Sequence, residues 1–402
     1  MASKKKAAAS AADANFSFFQ NLSTGNKLAD SSKKLTTSTW IDTGCYAFNA
    51  IYCGDMKGGF PGNRVSMLAG REAVGKTFFA IYAHMIPLIR DGYFVFYIDT
   101  EGAVDEDMLM NSFGIEPLGY DSSGEPVLPF KIIRESTIQE ARRTVCNILD
   151  GIEADMGKDV VNHNKCAFIL DSQGQMTTMK NLEDSSSGNF KKDMTKAGEL
   201  KLFYAAITNR MTMLGIPMIV TNHVYADVGS FIPRNEVSGG SGGLYASSVI
   251  LELRKKQYKE GTVKKGTIVT TKTRKSRWCP DGLEVSFYLD FKKGFNPWYG
   301  VHLLAQEAGY LEPWSASHAS MGCIKPKVGN AKCWVCKHPD KEPSEWVVCR
   351  ENELHKESAI GSIFEPVNEW VKKNYRFTTA NGFDLKEDED LDVTEDDLVE
   401  SD

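Results

Sequence analysis

The sequence has no apolar run long enough to cross a membrane and no cysteine pattern typical of a disulfide framework. No segment approaches the roughly 18 apolar residues of a membrane helix. The Lys- and Ala-rich start, MASKKKAAASAADA, has no apolar stretch of signal-peptide length. Nine cysteines, an odd number, are spread over 402 residues, which suits reduced thiols. With no internal repeat either, the expectation is a globular protein of the cytoplasm without a membrane partner.

Acidic residues are slightly outnumbered by basic ones in most of the chain, because eleven of the 53 are concentrated at its end. The formal net charge is −6, yet residues 384–402 contain eleven acidic residues and one lysine, a net charge of −10. The rest of the chain therefore carries +4, the difference between the two values. Because runs of like charge stay solvated, residues 384–402 are predicted to be a disordered acidic tail. A mildly basic body is compatible with binding to nucleic acid.

Strand-like and helix-like segments alternate between Asn63 and Asp290. Four apolar strands, RVSMLA, YFVFYID, KCAFILD and IPMIVTN, are separated by amphipathic stretches of helix length. Three more, SSVILEL, GTIVTTK and EVSFYLD, follow one another without long helices between them. This order predicts an α/β fold with a mostly parallel sheet, helices on both faces and an antiparallel extension.

A phosphate-binding loop is predicted between the first of these strands and the next helix. The segment GREAVGKT fits the pattern G-x-x-x-x-G-K-[ST], with a strand before it and a helix after it. Its backbone N–H groups can point at phosphate oxygens, Lys76 can reach the β- and γ-phosphates, and Thr77 can ligate Mg²⁺. The predicted nucleotide-binding residues are Gly70, Arg71, Glu72, Ala73, Val74, Gly75, Lys76, Thr77 and Phe78.

Two carboxylates follow other predicted strands. Asp171 ends CAFILD, where a carboxylate can hold the water shell of Mg²⁺. Glu101 follows YFVFYID, 25 residues after Lys76, where a carboxylate can orient and deprotonate the water that attacks the γ-phosphate. Taken alone, such acids are also typical of helix caps and surface turns, but the P-loop favours the catalytic interpretation. The predicted cofactors are therefore ATP and Mg²⁺.

The order and spacing of these motifs resemble the RecA family, and most closely the UvsX-like recombinases of tailed phages. The resemblance covers about residues 36–312 and includes YIDTEGAVD, ILDS, VTNH, SGGSGGLYASS, KTR and FKKGFNPWYGVHLLAQEAGYLE. It implies an oligomerisation arm at 1–35, a RecA-like P-loop ATPase core at 36–299 and a small C-terminal domain at 300–383. It also implies that Glu101 is catalytic, that Asp105 lies near the adenine and that His223 senses the γ-phosphate. A structural, hydrogen-bonded histidine is the alternative for His223.

Two polar segments fall where the family has its DNA-binding loops, the first TTMKNLEDSSSGNFKK at 177–192 and the second VYADVGSFIPRNEV at 224–237. Flexible polar loops with a few cations and one aromatic residue suit neutralisation of phosphates and insertion between bases. The alternative is a pair of exposed loops without a ligand. The residues predicted to contact DNA are Lys180, Lys191, Lys192, Phe231, Arg234, Gly239 and Gly240.

Lys272 and Arg274 lie on one predicted strand, where alternation places both side chains on the same face. Two like charges on a buried face would be costly within a monomer. In related families such residues reach across a subunit interface to the neighbour's γ-phosphate and take part in catalysis. The alternative is an exposed, charged edge strand. The aromatic residues Phe16, Phe18 and Phe19 fit docking on an adjacent protomer and packing on their own core equally well.

The predicted C-terminal domain contains four cysteines within 27 residues. Four thiolates that include one C-x-x-C fit a tetrahedral Zn²⁺ site, with His338 or His355 as substitute ligands. The alternative is a small core in which free cysteines pack beside Trp334 and Trp346. The cysteines are Cys323, Cys333, Cys336 and Cys349.

Together these features predict a DNA-dependent ATPase that carries out DNA strand exchange in recombination and repair. The expected partners are single-stranded DNA, homologous duplex DNA, further copies of the chain in a helical filament, and single-strand-binding and mediator proteins. If the chain is phage-encoded, its compartment is the cytoplasm of the host cell. A hexameric DNA helicase and a non-catalytic regulatory paralogue are the alternatives. The lack of a sizeable helical domain before the P-loop argues against the helicase, and the intact Lys76, Glu101 and Asp171 argue against the paralogue.

Overall fold

The computed structural model describes residues 39–155, 165–188, 195–226, 235–238, 240–260, 263–290, 294–327 and 331–377. The predicted N-terminal arm, with Phe16, Phe18 and Phe19, and the acidic tail lie outside these ranges. The predicted DNA contacts outside them are Lys191, Lys192, Phe231, Arg234 and Gly239.

Strands and helices are numbered in chain order within these ranges. The strands are β1 (Trp40–Ile41), β2 (Phe60–Pro61), β3 (Val65–Gly70), β4 (Phe94–Asp99), β5 (Gly119–Tyr120), β6 (Pro126–Val127), β7 (Phe130–Ile133), β8 (Cys166–Asp171), β9 (Met218–Ala226), β10 (Asn235–Val237), β11 (Val249–Glu260), β12 (Val263–Ser276), β13 (Glu284–Asp290), β14 (Gly294–Phe295), β15 (Leu311–Pro313), β16 (Cys333–Cys336) and β17 (Val347–Arg350). The α-helices are α1 (Tyr46–Cys53), α2 (Lys76–Ala80), α3 (Ile86–Arg90), α4 (Ile138–Asp155), α5 (Met179–Ser186), α6 (Lys196–Leu214), α7 (Ser241–Ala246), α8 (Val301–Glu307), α9 (Ala316–Ser320), α10 (Glu357–Ile360) and α11 (Phe364–Tyr375). A π-helical segment, Ile81–Met85, joins α2 to α3. Among the helices in the described ranges, none has the length and apolar character needed to span a bilayer.

One large sheet organises the described chain, with the strand order β14-β13-β12-β11-β3-β9-β8-β4-β7. The strands from β11 to β7 in that order pair in parallel. The strands from β11 to β14 pair antiparallel. The predicted α/β fold, with its parallel sheet and antiparallel extension, is confirmed.

Helices cover both faces of the sheet and create two hydrophobic clusters. Alternate residues of β8 belong to different clusters, with Ala167 and Ile169 in one and Phe168 and Leu170 in the other. The first cluster includes α1, α2, α3 and α11, and the second includes α4 and α6. Because β8 is buried on both faces, all six of its residues are buried, as expected for a central parallel strand.

The described part of the predicted C-terminal domain packs into the first of these clusters. Leu304 of α8 and Val367 of α11 belong to the same buried cluster as Phe48 of α1. The fully buried Asn368 side chain accepts a hydrogen bond from the backbone N–H of Met56 at 2.7 Å. The described residues of 300–327 and 331–377 therefore extend the core that also supports the P-loop helix, and the domain boundary at residue 300 stays a prediction.

The four cysteines predicted as zinc ligands do not converge. Cys333 and Cys336 both lie on β16, where side chains three residues apart point to opposite faces of the strand. The Cys336 thiol donates to the carbonyl of Ala359 at 3.5 Å, and its proximity lowers the pKa of Cys349. Cys323 donates instead to the carbonyl of Pro343 at 3.0 Å. No three His, Cys, Asp or Glu side chains are grouped as metal ligands within the ranges described above. All four thiols are buried, and the zinc site stays a prediction, as does its alternative of free, packed cysteines.

Candidate nucleotide-binding site

The predicted P-loop connects β3 to α2 at the carboxyl edge of the parallel strands. Gly75, immediately before α2, has a φ of 96°, a left-handed conformation that favours glycine. The helical stretch that begins at Lys76 continues through the π-helical segment to Arg90. The loop therefore has the strand, turn and helix start that the sequence pattern requires for binding phosphate.

Lys76 lies at the centre of this loop and is largely buried. Its ammonium donates to the carbonyls of Gly70 at 3.1 Å and Arg71 at 3.0 Å. Burial lowers the pKa of Lys76 from its usual value. Three neighbouring carboxylates oppose this shift, and that of Glu101 opposes it most strongly. A phosphate placed in the loop would give this buried ammonium an anionic partner, which neutral carbonyls do not supply.

Asp171 ends β8 and is only 2% exposed. It lies in register with Asp99 at the end of β4. One of its oxygens accepts a hydrogen bond from the Tyr97 hydroxyl at 2.8 Å, and the other accepts one from the Thr221 hydroxyl. Burial and the charge of Asp171 raise the pKa of Tyr97 well above its usual value, so Tyr97 stays protonated and donates. With both oxygens hydrogen-bonded, Asp171 fits the outer shell of Mg²⁺, which it can reach through water.

Glu101 follows β4 and lies beside the end of β8. Its Oε1 accepts a hydrogen bond from the Ser172 hydroxyl at 2.6 Å. Thr100 binds the same residue twice, since its hydroxyl donates to the Ser172 carbonyl at 2.8 Å and accepts from the Ser172 N–H at 2.9 Å. Ser172 therefore ties the ends of the two strands together and holds the tip of Glu101.

His223 joins the two sides of the site. Its Nδ1 lies 3.4 Å from the Lys76 ammonium, and its Nε2 lies 3.4 Å from both Glu101 Oε1 and the Ser172 hydroxyl. The structure thus brings together the predicted phosphate-binding lysine, the predicted general base and the predicted γ-phosphate sensor. The role of His223 as γ-phosphate sensor stays a prediction, with a structural, hydrogen-bonded histidine as its alternative.

The strand that carries His223 leads directly to the second predicted DNA loop. Beyond His223, β9 pairs antiparallel with β10, and the Ser238 N–H donates to the His223 carbonyl at 2.9 Å. Residues 227–234 connect these two strands in sequence and contain Phe231 and Arg234. His223 therefore directly precedes the second predicted DNA-binding segment, which begins at Val224, and contacts the nucleotide site.

Three other predicted site residues lie at the periphery. Asp105 is exposed and accepts a hydrogen bond from the Met108 N–H at 2.7 Å. Lys180 is exposed on α5, and Gly240 precedes α7 with a φ of 73°. Their predicted contacts with adenine and DNA stay predictions.

The predicted intersubunit cations are both ion-paired within the chain. Lys272 lies 3.5 Å from Glu284, and Arg274 lies 2.6 Å from Glu252, which also pairs with Arg254 at 3.2 Å. Desolvation alone would raise the pKa of Glu252, but Arg274 and Arg254 outweigh it and lower that pKa. Because β12 lies between β11 and β13, the alternative of an edge strand is wrong.

Arg274 is also the extra residue of a β-bulge. Against β11, Lys275 pairs with Ile250 and Thr273 pairs with Leu251, so the register passes over Arg274. A bulge bends its strand and redirects a side chain. This irregularity was not evident from the alternating pattern of the sequence.

Glu252, Arg254 and Arg274, here called the Glu252 cluster, adjoin the P-loop of the same chain. A cavity of about 510 Å³ lies between them, and Lys255 donates to the carbonyl of Ala73 in the P-loop. Sequence reasoning missed this cluster, because Glu252 becomes part of the site only when β11 pairs with β3. The residues that line the cavity are Arg71, Glu72, Val74, Glu252, Leu253, Arg254 and Lys255.

No protein-family model matches the chain, but individual proteins are similar to it. The chain is 24% identical over 355 residues to the "Recombination and repair protein" of Enterobacteria phage T4, covering 85% of this chain and 80% of that protein. It is also 25% identical to "Protein RecA" of Malacoplasma penetrans over 242 residues, which are 60% of this chain and 66% of that protein. The chain is thus similar in sequence to RecA. Among solved structures, "Crystal structure of the RadB recombinase" matches with a TM-score of 0.42 and 21% identity, over 63% of this chain and 98% of that one.

Proposed function

We propose that this RecA-like chain is an ATP-dependent DNA strand-exchange recombinase that assembles into filaments on single-stranded DNA. The observation that carries the proposal is the position of His223, which contacts Lys76 and Glu101 and lies on the strand that leads into the second predicted DNA loop. One strand therefore connects the site of ATP hydrolysis to the segment proposed to bind DNA.

The proposed hydrolysis uses residues that surround the P-loop. Lys76 and the loop N–H groups bind the β- and γ-phosphates, and Glu101 orients a water molecule and takes its proton as the water oxygen attacks the γ-phosphorus. The bond between the γ-phosphorus and the bridging oxygen breaks, and ADP leaves with that oxygen. Thr77 and Asp171 would hold Mg²⁺, which when bound neutralises charge on the phosphates.

Coupling to DNA follows from the same geometry. A γ-phosphate bound by Lys76 would give His223 an anionic neighbour, and its loss after hydrolysis would return His223 to Glu101 and Ser172. We propose that this exchange orders and releases the predicted DNA loops. In the filament, Lys272 and Arg274 of an adjacent protomer would approach the nucleotide, so that ATP contributes to the subunit contact. Homologous duplex and mediator proteins are the further partners of this assembly.

Electron microscopy of the protein with single-stranded DNA and a non-hydrolysable ATP analogue tests this function. We expect extended helical filaments that require both ligands, with Lys76→Ala as the control that does not assemble. Closed rings would instead support the helicase alternative. Failure to assemble, together with an absence of ATP hydrolysis, would support the non-catalytic paralogue.

A further inference from the structure

The carboxylate of Asp99 accepts four backbone hydrogen bonds from the turn that contains Glu101. Its Oδ1 accepts from the N–H groups of Glu101 at 3.1 Å, Gly102 at 2.8 Å and Ala103 at 3.3 Å. Its Oδ2 accepts from the N–H of Val104 at 3.2 Å. Asp99 is 3% exposed, so nearly all of its hydrogen-bonding capacity is directed at this turn.

These hydrogen bonds fix the backbone of the turn and therefore the direction in which the Glu101 side chain extends from it. Hydrogen bonds to an ionised acceptor are stronger than those between neutral groups, and four N–H groups would lose their partner without the carboxylate. Gly102 has a φ of 67°, a conformation that suits glycine in so tight a turn. Asp99 therefore holds the backbone of Glu101, while Ser172 holds the tip of its side chain.

Arg134 closes the same turn from the neighbouring strand. It follows β7, which pairs with β4 through Ile133 and Ile98. Its Nη1 donates to Asp99 Oδ2 at 3.1 Å, and its Nη2 donates to the carbonyl of Val104 at 2.9 Å. One guanidinium therefore binds both the carboxylate that organises the turn and the residue at the turn's far end.

We infer that Asp99 and Arg134 are positioning residues for the general base Glu101 and set the rate of ATP hydrolysis without binding the nucleotide. The inference rests on the proposed function, since it assigns Glu101 its catalytic role. The hydrogen bonds of Asp99 and Arg134 described above join them to the 101–104 turn, whereas the P-loop is held by β3 and α2. Loosening the turn should therefore change kcat and leave the affinity for ATP almost unchanged.

Arg134→Met and Arg134→Lys in the full-length protein provide the main test. Misplacing a catalytic group by about 1 Å can cost on the order of 10²-fold in rate, and Ser172 still holds Glu101 here. We therefore expect Arg134→Met to lower kcat about 10-fold, with KM and the Kd for a fluorescent ATP analogue within about twofold. Arg134→Lys, which keeps the charge, should recover part of the loss. Asp99→Asn should be at least as severe.

A matched control and a double variant separate positioning from other effects. Arg210 pairs with Asp150 at 2.6 Å and Glu153 at 2.8 Å between α4 and α6, so Arg210→Met should remove an ion pair without changing kcat. In a Glu101→Gln background, Arg134→Met should cause no further loss, because it acts through Glu101. Three results would each overturn the inference. They are a further loss of kcat in the double variant, a normal kcat in Arg134→Met alone, and a loss of nucleotide affinity in Arg134→Met as large as its loss of kcat. If Glu101→Gln itself hydrolyses ATP normally, the catalytic part of the proposed function fails instead.

Discussion

Separate alanine variants of Lys272 and Arg274 test the proposed intersubunit contact, and the structure predicts that they will lose different amounts of stability. Arg274 binds the buried carboxylate of Glu252, whose side chain is 4% exposed, whereas the Lys272–Glu284 pair is 40% and 45% exposed. Any assembly defect in the Arg274 variant must therefore be separated from partial unfolding. Lys272 is the cleaner probe of the interface.

The expected losses follow from burial and from the partners that remain. Removing one partner of a fully buried ion pair costs about 3–5 kcal/mol. Because Arg254 stays within 3.2 Å of Glu252 and 28% of the Arg274 side chain is exposed, we expect Arg274→Ala to lower the free energy of unfolding by about 1–2 kcal/mol. For the exposed Lys272 pair, we expect a loss of about 0–1 kcal/mol.

Urea denaturation measures these losses, and DNA-dependent ATPase assays measure the interface. At a temperature where both variants are folded, each should bind nucleotide as a monomer but lose cooperative ATPase activity and filament formation. Mixing Lys272→Ala with Lys76→Ala subunits should restore part of the activity, because each supplies what the other lacks at a shared site. Cooperative assembly of both variants at wild-type levels would refute the proposed contact.

The remaining predictions concern the base, the DNA loops, the tail and pH. Glu101→Gln should keep ATP binding and slow hydrolysis by about 100-fold or more, whereas Lys76→Ala should lose ATP affinity; equal losses of affinity would refute the role of Glu101. Arg234→Ala should weaken single-strand binding, preserve basal ATPase activity and flatten the logarithmic salt dependence by about one unit, and a normal salt titration would contradict the loop assignment. Truncation after Phe383 removes a net charge of −10 and should tighten DNA binding at about 50 mM salt more than at about 200 mM, because salt screens the tail as well as the DNA. If fluorescence anisotropy at low salt gives the same DNA affinity with and without the tail, the tail has no role in binding. Burial lowers the pKa of His84 from 6.5 to about 4, so between these values the unfolded chain binds the extra proton and stability falls as the pH falls. His84 should lower the free energy of unfolding by about 2 kcal/mol between pH 7 and pH 5. In urea unfolding, His84→Gln should therefore show a shallower pH dependence of stability than the wild type.

Much of the fold was predictable because the central strands are buried on both faces. The runs VSMLA and CAFILD are mostly apolar, and β3 and β8 are buried along their whole length. The P-loop was predictable because its glycines and lysine have fixed spacing between a strand and a helix. The positions of Glu101 and Asp171 beside the P-loop were predictable, because the carboxyl ends of parallel strands meet at one edge of the sheet.

The parts of the site that sequence reasoning missed depend on contacts between distant segments. Asp99 and Arg134 are 35 residues apart and meet only because β4 pairs with β7. Glu252 reaches Arg274 through the pairing of β11 with β12 and a bulge that alternation does not reveal. The spacing of Cys333 and Cys336 did not reveal that both lie on an extended strand rather than on a turn.

Strand exchange itself tests the central claim most directly. A circular single strand would be incubated with the protein, ATP and a homologous linear duplex, and joint molecules would be separated by gel electrophoresis. We expect joint molecules that require ATP, are absent with a heterologous duplex and are lost in Lys76→Ala. Homology-independent unwinding of the duplex, or filaments that never form joint molecules, would contradict it.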